Sequence, residues 1–107
     1  MNYQQGDVVL RSVVALPPGA VKVARGGIVL AQGEATGHAH AIKAPAEAVT
    51  LCEIREGGVV TRFLAVQEPV TLSHEEHGVQ TIEPGVYSVG IVRERDWLSE
   101  DVRAVTD

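Results

Sequence analysis

Short apolar runs and turn residues alternate along the whole chain. The runs are "DVVLRSVVAL" (7–16), "AVKVA" (20–24), "IVLAQ" (28–32), "AHAIK" (39–43), "AVTLCEIRE" (48–56), "VVTRFLAV" (59–66), "VTLSHE" (70–75), "VQTI" (79–82) and "VYSVGIVRE" (86–94). Between them stand Gly6, Pro17-Pro18-Gly19, Gly26-Gly27, Gly33, Gly37, Pro45, Gly57-Gly58, Pro69, Gly78 and Pro84-Gly85. Turns spaced about 8–12 residues apart, separating Val-rich segments of strand length, predict an all-β fold, a small barrel or sandwich. Helical periodicity has no room to develop except at the end, where "DWLSEDVRAV" offers Asp96 or Ser99 as an N-cap and predicts one short C-terminal helix.

Side chains of a strand alternate between faces, so parity assigns the interior. In 70–76, Val70, Leu72, His74 and Glu76 share a side; in 34–42, Glu34, Thr36, His38, His40 and Ile42 do, with small Ala39 and Ala41 opposite. Tyr87, Val89 and Ile91 form the expected inner face of the last run. The run "QGDVVL" reads as a turn entering a strand, and "EPGVYSV" as a Pro-Gly turn feeding another.

At 107 residues the chain is expected to form a single β domain spanning 1–107. The hydrophobic fraction of 45% is carried by Val and Ala with only 4% aromatics, which suits a pleated sheet. A domain this small has little stability to spare, so a homo-oligomer is the expected state. Nine Lys and Arg against fourteen Asp and Glu give a net charge of −5 without a basic stripe, which argues against nucleic acid as a partner. No apolar stretch reaches the length of a membrane span, and "MNYQQGD" lacks a secretory pattern, so the expected location is cytoplasmic with no membrane partner. Cys52 is the single cysteine and reads as a small core residue.

The four histidines fall into two short stretches, His38 and His40 in "GHAHAI" and His74 and His77 in "SHEEHG". On a strand, His38 and His40 would lie about 6.6 Å apart at Cα, close enough to converge on one ion. Pro69 before and Gly78 after the second pair favour a hairpin tip. If "HEEH" is itself the turn, His74 and His77 face each other; if Gly78 takes the left-handed position of a longer turn, Glu76 becomes the companion of His74. The metalloprotease helix motif is excluded, because Gly78 stands where its second histidine would be. Neutral imidazole is the commonest protein ligand for transition metals. The expectation is therefore one divalent transition metal (Zn, Fe, Ni or Mn) held by His38, His40, His74 and His77, with Glu76 as substitute ligand. Such a metal-binding protein could act as an enzyme on a small-molecule substrate through a metal-bound water. The alternative is a non-enzymatic structural or interaction module whose histidines stabilise turns or subunit contacts.

The order "QGDVVL", "LPPG", "LAQGEATGHAHAI", "LSHEEHG", "IEPGVYSVGIVRERDW" resembles a family of small uncharacterised proteins of bacterial and phage genomes, over nearly the whole chain. Its most specific pieces are TGHxH and HEEH. A weaker resemblance is to cupins, small β-barrels whose first motif joins a glycine, HxH and a downstream glutamate, echoed by Gly33, His38, His40 and Glu47. Glu47 comes seven residues after His40, later than in that motif, and Pro84-Gly85 follows the second histidine pair instead of preceding it. The cupin resemblance implies a metal site in a β-barrel.

Overall fold

The computed structural model describes residues 2–32, 39–74 and 78–91. Its elements are β1 (Tyr3–Gln5), β2 (Val8–Val13), β3 (Val21–Arg25), β4 (Ile28–Gln32), β5 (Ala39–Lys43), β6 (Val49–Glu56), β7 (Val59–Val66), β8 (Val70–His74), β9 (Gly78–Ile82) and β10 (Gly85–Ile91). Each apolar run of the sequence corresponds to one strand, β3, β9 and β10 reaching one residue beyond their runs. β1 is the exception: "YQQ" has no apolar alternation to announce it, and it forms because a tight turn at Gly6-Asp7 folds it back on β2, with Gln5 opposite Val8. Among the described residues there is no helix, and none therefore that is long and apolar enough to cross a membrane. The expected C-terminal helix, with its caps Asp96 and Ser99, lies outside the described residues.

Two antiparallel sheets result, not one closed barrel: a six-stranded sheet in the order β1-β2-β10-β7-β6-β3 and a four-stranded sheet in the order β4-β5-β8-β9. One core joins them. Val8, Leu10, Val49, Leu51, Leu64, Val66 and Tyr87 come from the larger sheet, and Ile28, Leu30, Ile42, Val70, Leu72 and Ile82 from the smaller. Fully burying one such aliphatic side chain contributes about 1.5–3 kcal/mol, so this interior fixes how the sheets dock. Val9, Cys52, Phe63 and Ala65 are also buried, although each alternates along its strand with residues of the shared core. Cys52 is thus a packed residue, as expected of a small core residue, and burial pushes its thiol above the ordinary range while Lys22 pulls it down by a smaller amount. The inner-face expectation for β10 holds for buried Tyr87 and for Val89, which packs against the core, but Ile91 is 42% exposed. Ile91 pairs with Val8 at the end of the strand, two residues past Val89, the last to pair with β7, so among the described residues no strand flanks it on that side.

Candidate functional site

β5 and β8 are hydrogen-bonded neighbours, with Ala41 opposite Ser73 and Ile42 opposite Leu72. Continuing that register by one position sets His40 opposite His74. Both lie on the core-facing side that Ile42, Leu72 and Val70 share, and both are buried, at 3% and 9% exposure. Their rings stack with centroids 4.2 Å apart and planes inclined by 27°. Two separated histidine stretches are therefore joined at one cross-strand pair. On the other flank of β5, β4 carries an irregularity between Val29 and Ala31 that sets Ala31 against His40. The extra residue, Leu30, buries its side chain, and Nη2 of Arg62 donates to its carbonyl oxygen at 2.9 Å. Such a bulge re-aims neighbouring side chains.

Among the described residues, two polar partners of His40 come from β1 and its turn. Nε2 of the Gln5 amide donates to the carbonyl oxygens of Leu72 and Gly78, each at 3.0 Å. Both amide hydrogens are thereby used, and Oε1 faces Nδ1 of His40 at 2.9 Å. Turning the amide over would oppose its oxygen to two carbonyl oxygens, so Oε1 is the acceptor and Nδ1 of His40 is the donor. Nε2 of His40 lies 3.1 Å from Oδ1 of Asp7. Gln5 itself is 1% exposed, and its contacts reach from the six-stranded sheet across to both β8 and β9. A second amide repeats the tie, with Nε2 of Gln80 donating to the Gln4 carbonyl oxygen at 2.6 Å.

The hairpin between β8 and β9 pairs His74 with Gly78, whose φ is +76°. That left-handed φ is one a glycine adopts without strain. His38, Glu76 and His77, and with them Glu34 and Glu75, lie outside the described residues. Glu47, the candidate cupin-type glutamate, is exposed in the turn before β6. Among the described residues, no group of three or more His, Cys, Asp or Glu is placed to hold a metal ion; the geometry supplies pairs, His40 with His74 and His40 with Asp7.

Gln5 and Asp7 are the site residues that sequence reasoning missed. Their signal was the short spacing of "QGD" at a tight turn, which puts one side chain toward the interior at Gln5 and a carboxylate on the turn two residues later. A turn explains those residue types equally well, and nothing in the string ties residue 5 to residue 40.

The chain matches no curated protein and no solved structure. The profile of a domain of unknown function, DUF8820, matches residues 4–92, a span that contains Gln5, Asp7, His40 and His74, and the chain therefore belongs to that family.

Proposed function

We propose that this protein binds one divalent transition metal (Zn, Fe, Ni or Mn) where β5 meets β8. His40 and His74 are the core of the ligand set, His38 and His77 complete it, and Glu76 is the substitute ligand. What carries this reading is the ring contact between His40 and His74, two buried imidazoles from distant parts of the sequence. Their 4.2 Å centroid separation is close to the roughly 4.5–5.2 Å that two imidazoles have when bonds of about 2.1 Å join them to one ion. The Gln5 contact at Nδ1 of His40 has the form of the outer hydrogen bond that orients a ligating imidazole. His38 and His77 enter on sequence grounds, two residues before His40 and three after His74.

A metal-dependent reaction on a small-molecule substrate belongs to the same proposal, since an ion there would polarise an oxygen ligand or lower the pKa of a bound water. A cupin-like relationship and a homo-oligomer are its further parts; the latter is supported by Val21 and Val23, exposed on the edge strand β3. The test is metal analysis of untagged protein beside a His40→Ala, His74→Ala double variant whose fold is checked by circular dichroism. Near-stoichiometric metal in the wild type and little in the variant is expected. Equal, negligible metal in both refutes the reading.

One observation favours a second reading, a structural or interaction module. Gln5 and His40 together bind β1 to both sheets, which is a sufficient reason for a buried histidine. A melting temperature indifferent to chelator, with a shift on adding a binding partner, would favour that module.

A further inference from the structure

The geometry points to Asp7 as a ligand of the metal, paired with Nε2 of His40, and to Gln5 as the positioning residue that decides which nitrogen of His40 the metal receives. The metal reading above is its premise. Nδ1 of His40 must carry a hydrogen, because the only atom of Gln5 that faces it is an acceptor. The ring then turns Nε2 toward a carboxylate oxygen 3.1 Å away. A bare nitrogen lone pair and a carboxylate oxygen at that distance repel each other, so a positive centre has to lie between them: a proton, or a metal cation in its place. Two ligand atoms 3.1 Å apart also fit one ion with bonds of about 2.1 Å meeting at roughly a right angle. Imidazole on one side and carboxylate on the other make a mixed nitrogen and oxygen site, suited to borderline divalent ions such as Zn or Fe and less to soft monovalent copper.

Burial gives the site a direction. The His40 side chain is 3% exposed and that of Asp7 is 47% exposed, so a cation reaches Nε2 from the Asp7 side of the turn between β1 and β2. The sequence-based ligand set placed no residue there.

The experiment combines Zn(II) titration by calorimetry with long-range 1H–15N correlation of the histidine rings, in the wild type, Asp7→Asn and Gln5→Met. In the wild type, Nδ1 of His40 is expected to bear a hydrogen with and without Zn(II), and the Nε2 resonance to move on Zn(II) binding. Asp7→Asn, at a half-exposed turn position, is expected to keep the wild-type melt and bind Zn(II) at least tenfold more weakly. Gln5→Met, which removes the acceptor at Nδ1, is expected to leave Nε2, facing Asp7, as the hydrogen-bearing nitrogen of metal-free His40. Zn(II) attached to Nδ1, or Asp7→Asn binding as tightly as wild type, overturns the assignment. If Gln5→Met does not fold, the metal-free wild-type spectrum still decides, since a neutral His40 with a bare Nδ1 overturns the role of Gln5. Failure of the wild type to take up Zn(II) or Fe(II) removes the premise and Asp7 as ligand together, and the ring spectrum separates that outcome from an error about Gln5.

Discussion

Replacing Gln5 by Met tests the buried amide as a structural element, with or without a metal. The two side chains are of similar size, so the change removes hydrogen bonds and opens little cavity. Three partners lose a bond: the Leu72 carbonyl oxygen, the Gly78 carbonyl oxygen and Nδ1 of His40. A buried polar group left without its partner costs about 1–3 kcal/mol, and the part-buried Gly78 contact belongs at the low end. Allowing for relaxation, the loss is about 3 kcal/mol, a large share of the roughly 5–15 kcal/mol available to a small domain. At about 4–8 °C per kcal/mol the melting temperature falls by roughly 12–24 °C. Urea denaturation measures the free energy directly, provided the slope stays constant between wild type and variant. Gln4→Ala is the control: it lies on the same strand, but among the described residues its amide donates to the nearby Gly6 carbonyl oxygen alone, so about 1 kcal/mol or less is expected. A Gln5→Met loss no larger than that of Gln4→Ala would refute the view that Gln5 ties the two sheets together.

Gly26→Ala should cost about 2–3 kcal/mol in urea denaturation, because φ is +74° and a Cβ would lie 2.9 Å from the Ala44 carbonyl oxygen; Gly57→Ala, at φ +54° with open space around it, should cost less. Burial first, then a hydrogen bond shared with Tyr3 and the nearby charges of Tyr3 and Glu83, push the Tyr87 hydroxyl up to about 12. The raised value means the native state favours the neutral phenol, so this contribution is complete below the unfolded value of about 10 and is lost as pH rises toward about 12. Stability measured from pH 9 to 12 should therefore decline less steeply in Tyr87→Phe than in the wild type, and identical slopes would contradict it. Cys52, buried with its thiol raised, should react with a thiol reagent in native protein at a rate set by unfolding, at least a hundredfold slower than in urea.

The strands were legible because their signal is local. Alternation in "VTLSH" correctly gives Val70, Leu72 and His74 one buried face, and the same parity buries His40 with Ile42. The pairing of strands is not local, and neither is anything that depends on it. That β5 neighbours β8 follows from how two sheets share one core, so the His40–His74 contact could be posed as a question but not read from the string. β1 was missed for the opposite reason. Its residues carry no apolar pattern, and the strand is held by amide contacts such as those of Gln5 and Gln80. A barrel and a two-sheet sandwich share turn spacing and composition, and only the count and order of strand pairings separates them.

The placement of β1 has a consequence for how the site comes into being. By its ladder β1 belongs to the six-stranded sheet, at the edge beside β2. By its side chains it belongs equally to the four-stranded sheet, since Gln5 donates to Leu72 and Gly78, and the Tyr3 hydroxyl accepts from the Glu83 backbone N–H at 3.1 Å. His40 therefore gains its contacts with Gln5 and Asp7 only after the two sheets have docked. Before docking, β5 and β8 can bring His40 and His74 together, but neither the acceptor at Nδ1 nor the carboxylate at Nε2 is in place. Any chemistry at this imidazole is thus coupled to the tertiary fold and not to the hairpins that carry the histidines. A peptide spanning β4 to β9 would retain the histidines and lose Gln5 and Asp7. If such a peptide bound metal with the affinity of the intact domain, the two β1-side residues would have no part in the site.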